Sequence, residues 1–228
     1  MPEPRSIVMM GATGAVGGHV VRTLLTMPDI ERLTLLGRRP VEGLDDARVA
    51  QHTVAQHIVD IFEPGTYTPW LTGHQIAICT LGVGQPSKMS KEEFVRIDRD
   101  AVLDFGSACR EAGVRHFELL SSVGAGSRSA SFYLRTKGEL EDGLEALGFE
   151  RLSLFRPSMI LTPTNRYGLS QAITLKVWPL LKPVLLGPLQ KFRGIAVERL
   201  GAAIARNLEH AGPAVEKLQW RDFIRLTA

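Results

Sequence analysis

The stretch MMGATGAVGGHV at residues 9–20 decides the fold. Gly11, Gly14 and Gly17 recur at three-residue spacing between an apolar run and an amphipathic helical pattern. A buried strand, a glycine turn and a helix start can bind a phosphate, because the first helical amides lack intrahelical partners. We expect Gly11 to form the turn, Gly14 to let the backbone approach a pyrophosphate, and Gly17 to allow the helix to pack on the strand.

Apolar runs and amphipathic stretches alternate beyond this turn. The alternation predicts an α/β fold, a Rossmann-like doubly wound parallel sheet with helices on both faces. Strands are predicted at residues 6–10, 32–37, 56–61, 74–82, 115–122 and 151–157, with a further strand-like stretch at 215–220. Helices are predicted at residues 15–27, 90–113, 131–148 and 194–210.

The length of 228 residues predicts a single domain, residues 1–228, and the glycine turn after the first strand predicts that this domain binds NAD(P). Four prolines interrupt the pattern between residues 160 and 190, and we expect residues 158–192 to form a small cap on the substrate side. The cap segment is apolar, with residues such as Trp178 and Leu185. This favours a hydrophobic substrate, although a cap that packs on the core would have the same composition.

Composition argues against several classes of partner. The net charge of +3 comes from 27 basic and 24 acidic residues that are scattered, so we expect no nucleic-acid binding. Cys79 and Cys109 make neither a disulfide framework nor a metal-ligand pattern. The apolar stretch 169–189 contains two lysines and three prolines, so we expect no membrane span. The N-terminus lacks a signal-peptide pattern, which predicts a cytoplasmic protein. Both a monomer and a dimer remain open.

Two arginines follow the second predicted strand, in the stretch LLGRRP. Gly37 stands where an NAD-binding protein often has an acidic residue for the adenosine ribose. Arg38 and Arg39 follow, and guanidinium groups match a phosphate through paired hydrogen bonds. The pair predicts NADP(H), with two solvated loop arginines as the alternative. Asp60, at the end of the third predicted strand, is placed to meet the adenine.

A tyrosine and a lysine are four residues apart in YLRTK. On a helix this spacing places Tyr133 and Lys137 on one face. A neighbouring ammonium lowers the pKa of a phenol, which allows the phenol to exchange a proton with a substrate oxygen. Ser121 and Ser122 end the fifth predicted strand, where a hydroxyl can hold a substrate carbonyl.

As a set, GATGAVG, LLGRRP, FVRIDRDAVL, HFELLSSVGA, FYLRTKGELE and LFRPSMIL resemble the short-chain dehydrogenase/reductase superfamily. The resemblance covers about two thirds of the chain and is strongest to the atypical branch that contains Tat-interacting-protein-like oxidoreductases. It implies a Rossmann fold and NADP(H). It also implies that Tyr133 is the general acid/base, that Lys137 binds the nicotinamide ribose, and that Ser122 orients the carbonyl.

The resemblance and the glycine turn together give the predicted cofactor contacts. Those implied by the resemblance are backbone positions near Leu81, Gly82 and Pro157. The whole predicted set is Gly11, Thr13, Gly14, Ala15, Val16, Gly17, Arg38, Arg39, Asp60, Ile61, Leu81, Gly82, Lys137 and Pro157. The chain departs from the superfamily in two respects: it has LGVGQP in place of an asparagine motif, and a short gap from serine to tyrosine.

Three functions share these features. The first is an NADP(H)-dependent reductase or dehydrogenase that acts on a small carbonyl or alcohol substrate. The second is an NADP(H)-sensing regulator or scaffold without turnover, which has no need of the serine, tyrosine and lysine. The third is an enzyme similar to nucleotide-sugar epimerases and dehydratases, which usually need a larger C-terminal lobe than the residues after Pro157 provide.

Overall fold

A seven-stranded parallel sheet forms the centre of the protein, as the sequence predicts. The computed structural model describes residues 4–44, 53–83, 89–162 and 186–228. The strands of this sheet, in spatial order, are β3, β2, β1, β4, β5, β6 and β9. Their bounds are β1 Arg5–Met10, β2 Ile30–Gly37, β3 Thr53–Ile58, β4 Ile76–Cys79, β5 His116–Leu120, β6 Arg151–Phe155 and β9 Val215–Leu218. Such an order places β1 and β4 where the winding of the sheet reverses, and ligands of this fold bind beside that point.

Helices cover both faces of the sheet. Their bounds are α1 Ala15–Leu24, α2 Lys91–Val95, α3 Ala101–Glu111, α4 Phe132–Ala146, α5 Val197–Arg206 and α6 Trp220–Leu226. On one face the core includes Leu24, Ile204 and Phe223 from α1, α5 and α6. On the other face it includes Phe105 and Leu144 from α3 and α4. The doubly wound fold class is therefore confirmed.

Several predicted boundaries shift in the structure. The third strand ends at Ile58, so Asp60 and Ile61 lie in the turn after it and not at its end. The long helix predicted at 90–113 starts as expected, with Ser90 Oγ accepting a hydrogen bond from the Glu93 amide at 3.1 Å. It is then interrupted by a π-helical turn at Arg96–Asp100. The final helix α6 was not predicted.

Part of the predicted cap falls on residues 163–185, which lie outside the described residues. On either side of this segment, a short strand β7 (Ile160–Leu161) pairs in parallel with β8 (Ile195–Ala196). The one-domain organisation and the cap remain predictions. No helix within the described ranges is long and apolar enough to cross a membrane.

Candidate cofactor and active site

The turn between β1 and α1 is tightly packed against the end of β4. Gly11 has a φ of +94°, a conformation that glycine adopts without strain. A Cβ atom at Gly11 would lie 2.6 Å from the backbone nitrogen of Leu81, so no side chain fits there. Thr80 Oγ1 donates a hydrogen bond of 3.1 Å to the Gly11 carbonyl oxygen. The ends of β1 and β4 are thus joined at the carboxyl edge of the sheet.

Helix α1 begins at this turn with its first amides free. Gly14 is the exposed N-cap residue and supplies no side-chain cap, and the first turn holds no acidic residue. The next three residues, Ala15, Val16 and Gly17, therefore present the unpaired amides and positive dipole end that an anion needs. Among the described residues, a Cβ at Gly14 would have one neighbour within 4 Å, the Gly11 carbonyl oxygen at 3.2 Å. The space beside Gly14 is therefore open apart from this one oxygen.

A shallow pocket lies beside the turn, between the ends of β2 and β3. Its lining includes Thr13, Gly37, Arg39, Gln56 and His57. Gln56 Oε1 accepts a hydrogen bond of 2.8 Å from the Val41 amide, which holds the chain after β2 in place. The ring of His57 stacks on Trp70, with centroids 3.6 Å apart. Sequence reasoning missed both Gln56 and His57. The residue pattern of β3 predicts a strand, but it does not show that the end of this strand lines a pocket.

Of the residues predicted for the adenosine end, Arg39 lines this pocket, and Arg38, Asp60 and Ile61 lie in the segments that follow β2 and β3. Arg38 and Arg39 are exposed, and neither makes an ion pair with a described residue. The Asp60 side chain is exposed, and its Oδ1 accepts a hydrogen bond of 2.9 Å from the Phe62 amide. Ile61 is 2% exposed and belongs to the core, so only its backbone is open to a ligand role. Val59 donates to the Gly37 carbonyl at 3.0 Å and fixes this turn against β2.

Helix α4 positions Tyr133 and Lys137. Ser131 caps the helix by accepting a hydrogen bond of 3.4 Å from the Leu134 amide. Tyr133 is half-buried, and its ring packs on Phe94 with centroids 5.7 Å apart. Lys137 is 3% exposed. Because the two side chains are one helical turn apart, the ammonium and the phenol lie on the same face.

The two serines after β5 have different environments. Ser121 is buried and donates a hydrogen bond to Glu141, whose carboxylate also pairs with Arg156. Ser122 is half-buried, and its hydroxyl makes only a long contact of 3.5 Å with the Val123 carbonyl. Ser121 is thus committed to a structural network, and Ser122 is the serine whose hydroxyl remains open to a substrate.

The loop that carries these serines is held at the same edge of the sheet. Val123 donates a hydrogen bond of 2.8 Å to the carbonyl oxygen of Pro157, so the chain after β5 is tied to the chain after β6. A Cβ on Gly138 of α4 would lie 2.1 Å from the carbonyl carbon of Gly126. Helix and loop are therefore in direct backbone contact, which holds the loop that follows Ser122 against α4.

Lys137 forms a buried ion pair that the sequence analysis did not predict. Its Nζ lies 2.7 Å from Oδ1 of Asp98, which is only 1% exposed. Burial lowers the pKa of Lys137, but the charge of Asp98, the neighbouring Tyr133 and the hydrogen bond to Asp98 more than offset this and raise its pKa above the usual value. After β4, Leu81 is half-buried and Gly82, which lies next to the Asp98–Lys137 ion pair, is exposed. The site therefore holds a protonated lysine beside a phenol.

A signal for Asp98 does exist in the sequence. Phe94, Val102 and Phe105 form an apolar stripe on the predicted helix 90–113, and all three are buried. Asp98 lies in the middle of that stripe, where an unpaired charge would be costly. A carboxylate in an apolar stripe predicts a buried cation as partner, although the stripe does not say which one.

A larger cavity of about 480 Å³ lies at the opposite, amino edge of the sheet. Arg5, Arg115 and Arg151 are among its lining residues. Arg5 pairs with Asp29 at 2.5 Å, and Arg151 pairs with Glu216 at 2.7 Å. Most of its positive charge is therefore neutralised within the protein, whereas Arg39 in the smaller pocket beside the glycine turn makes no ion pair with a described residue. We assign the functional site to the carboxyl edge.

Comparison with known proteins shows the family of this chain. A family described as NAD(P)H-binding matches residues 11–153, from the first glycine of the turn to the middle of β6. Protein HTATIP2 of Rattus norvegicus is 37% identical over 159 residues, 70% of this chain and 64% of that protein. The protein fmp52, named as mitochondrial, of Emericella nidulans is 33% identical over 156 residues, 68% of this chain and 66% of that protein. The match thus spans just under two thirds of the length of both relatives.

Solved structures share the fold. MoeE5 in complex with UDP-glucuronic acid and NAD superposes with a TM-score of 0.70 and covers 94% of this chain and 76% of that chain. The two sequences are 18% identical, so the likeness establishes the Rossmann-type fold alone.

Proposed function

Because this chain belongs to the NAD(P)H-binding family, we propose that it is an NADP(H)-dependent oxidoreductase of the atypical short-chain dehydrogenase/reductase type. Its substrate is a small, hydrophobic carbonyl or alcohol. One observation carries the proposal: the glycine turn, the open hydroxyl of Ser122 and the Tyr133–Lys137 face of α4 all lie at the carboxyl edge of the sheet.

The glycine turn would hold the cofactor. The amides of Ala15, Val16 and Gly17 would bind the pyrophosphate, and Gly14 leaves room for it. When bound, the nicotinamide supplies or accepts a hydride. Lys137 would donate to the nicotinamide ribose, since its Nζ has no described hydrogen-bond partner other than Asp98.

The preference for NADP(H) rests on Arg38 and Arg39. Both are exposed at the end of β2, and neither has a described ion-pair partner that would compete with a phosphate. A 2′-phosphate on the adenosine ribose would lie near that strand end, and guanidinium groups bind phosphate with charge-assisted hydrogen bonds. Asp60, a few residues after β3, would meet the adenine.

Proton transfer falls to Tyr133. In the reduction direction its hydroxyl gives a proton to the carbonyl oxygen, and in oxidation it takes one from the alcohol. Lys137, which remains charged, stabilises the phenolate that forms. Ser122 would donate a hydrogen bond to the same oxygen and so orient the carbonyl.

We propose the cytoplasm as the compartment. The free, buried thiols Cys79 and Cys109 support a reducing environment, which a mitochondrial location would also provide. Fractionation of cells that express the tagged full chain distinguishes these two locations.

The enzyme is tested by NADPH oxidation with a panel of aldehydes, ketones and quinones. Tyr133→Phe should keep the fold and NADPH binding and should lower turnover about 10²-fold or more, because only the hydroxyl is lost. Tyr67→Phe is the matched control, since Tyr67 is fully buried and its hydroxyl has no described hydrogen-bond partner. Full activity in Tyr133→Phe would refute the mechanism. NADPH binding without turnover of any substrate would favour the sensor over the enzyme.

A further inference from the structure

The buried partner of Lys137 is placed by an irregular piece of helix. Asp98 lies in the π-helical turn Arg96–Asp100, between α2 and α3. Turns of this kind widen the helix locally and occur often at functional sites. Phe94 before the turn and Val102 after it are both fully buried, so the turn is anchored in the core on each side. Asp98 is thus held rigidly at a point where it can reach another helix.

Asp98 bonds to two parts of the site at once. Its Oδ1 pairs with Lys137 Nζ at 2.7 Å, and its Oδ2 accepts a hydrogen bond of 2.8 Å from the Val83 amide. The backbone of Gly82 lies directly over the pair, since a Cβ there would lie 3.2 Å from Asp98 Oδ1 and 3.7 Å from Lys137 Nζ. One carboxylate therefore connects the loop after β4 with α4, and both segments belong to the predicted cofactor site.

The charge of Lys137 depends on this carboxylate. An ammonium buried without a partner loses its proton readily, because burial disfavours the charged form. Three described titratable groups affect it: Asp98 from the π-helical turn, Tyr133 from its own helix, and Cys79 from β4. Burial raises the pKa of Cys79 to about 12, so this thiol is neutral. Asp98 is the carboxylate in direct contact with the Lys137 ammonium.

We propose that Asp98 is a positioning residue: it keeps Lys137 protonated and holds its remaining N–H bonds toward the cofactor ribose. An ammonium has three N–H donors, and Asp98 takes one of them. The effect on cofactor binding rests on the proposed function. The effect on the protonation of Lys137 does not, since it follows from the ion pair itself.

The proposal is tested by the titration of Lys137 in the natural protein, Asp98→Asn and Asp100→Asn. Asparagine keeps the size of the side chain and an oxygen for the Val83 amide but removes the charge. Asp100 is the control, because it lies in the same π-helical turn, is 45% exposed and pairs at the surface with Arg99. The lysine Cε resonances are followed by NMR with labelled lysine, and that of Lys137 is assigned by its absence in Lys137→Arg.

We expect Lys137 in Asp98→Asn to lose its proton about 2 pH units or more below the natural protein, with Asp100→Asn unchanged. The affinity for NADPH should then fall with rising pH in Asp98→Asn alone. Titration of Lys137 at the same pH in all three proteins would overturn the proposal. If NADPH fails to bind the natural protein, the proposed function fails, while the titration still decides the role of Asp98.

A double variant covers the case in which Asp98→Asn folds poorly. Removal of the unpaired ammonium in Asp98→Asn/Lys137→Met should restore thermal stability toward that of the natural protein, since the cost arises from an uncompensated buried charge. If the double variant is no more stable than Asp98→Asn, Asp98 serves only the loop at Val83, and its role toward Lys137 is refuted.

Discussion

Substitution of neighbouring glycines in α1 tests how the turn is built. A Cβ at Gly17 would lie 2.2 Å from the Gly11 carbonyl oxygen and 2.9 Å from the Cα of Ala12. These are backbone atoms, and the carbonyl would have to move by roughly 1 Å to reach an ordinary contact. A Cβ at Gly18, the next residue of the same helix, would meet only the Ala12 carbonyl oxygen, at 3.8 Å.

The two alanine variants should therefore change stability in opposite directions. Alanine in place of glycine stabilises a helix by up to about 1 kcal/mol, and Gly18→Ala should show that gain. Overpacking costs about 1–3 kcal/mol, so Gly17→Ala should be destabilised despite the helical gain. Because both variants share the helical gain, the difference between them equals the overpacking cost. The 2.2 Å approach to a backbone oxygen places this cost in the upper part of the range, so we expect about 2–3 kcal/mol between the variants, or roughly 4–12 °C in melting temperature for a chain of this size.

Thermal unfolding followed by circular dichroism measures the difference, and Gly14→Ala extends the test to binding. Gly14 is exposed with a φ of −73°, so alanine there is not strained. The approach of its Cβ to the Gly11 carbonyl oxygen at 3.2 Å and the poorer capping by alanine should lower stability by about 1 kcal/mol or less. Its methyl group would enter the space assigned to the pyrophosphate and weaken NADPH binding about tenfold or more. Equal stability of Gly17→Ala and Gly18→Ala would refute the packing argument, and unchanged NADPH affinity in Gly14→Ala would refute the binding argument.

Two further predictions concern charge. Burial raises the pKa of Glu118 to about 8 from an ordinary 4.5, so the folded protein keeps a proton that the unfolded chain releases, and stability should fall as the pH rises through this window. Burial lowers the pKa of His116 to about 3, so this histidine affects stability only below about pH 6.5, where the unfolded chain protonates it. Above pH 6.5 the decrease of the unfolding free energy with pH, at most about 1.4 kcal/mol per pH unit, is therefore due to Glu118. Urea unfolding measured from about pH 6.5 to 8 should show no such decrease in Glu118→Gln. Replacement of both Arg38 and Arg39 by alanine should weaken NADPH binding by a few kcal/mol, at about 1.5–3 kcal/mol per charged hydrogen bond, and leave NADH binding nearly unchanged in calorimetry. A persisting slope in Glu118→Gln, or equal losses for both cofactors, would contradict the respective argument.

The sequence predicts the central sheet well because its strands are signalled locally. The apolar run before Gly11 and the helical pattern after it are enough to place β1, the turn and α1. Boundaries set by tertiary contacts are predicted less well: β3 ends at Ile58, the residue that pairs with Gly37, where the neighbouring strand β2 also ends. Helix α6 was not predicted because Trp220 was included in the strand-like stretch 215–220. In the structure a capping box formed by Gln219 and Asp222 starts a helix at Trp220.

Candidate residues that share a short motif can be recognised in the sequence, whereas contacts between residues distant in sequence cannot. Tyr133 and Lys137 are recognised by their spacing within one helix. The ion pair of Lys137 with Asp98 joins residues from different helices and depends on a π-helical turn, which no local pattern indicates. The different environments of Ser121 and Ser122 likewise depend on Glu141 of α4. Only the folded chain shows that Ser121 is the serine that hydrogen-bonds to this carboxylate.

The central claim, that the turn after β1 binds NADP(H), is tested most directly by calorimetric titration of the natural protein with NADPH and, in parallel, with NADH. We predict one site per chain, with NADPH bound at least about tenfold more tightly because of Arg38 and Arg39. Absence of binding by either cofactor would contradict the claim, and equal affinity for both would contradict the assignment of the 2′-phosphate to these arginines.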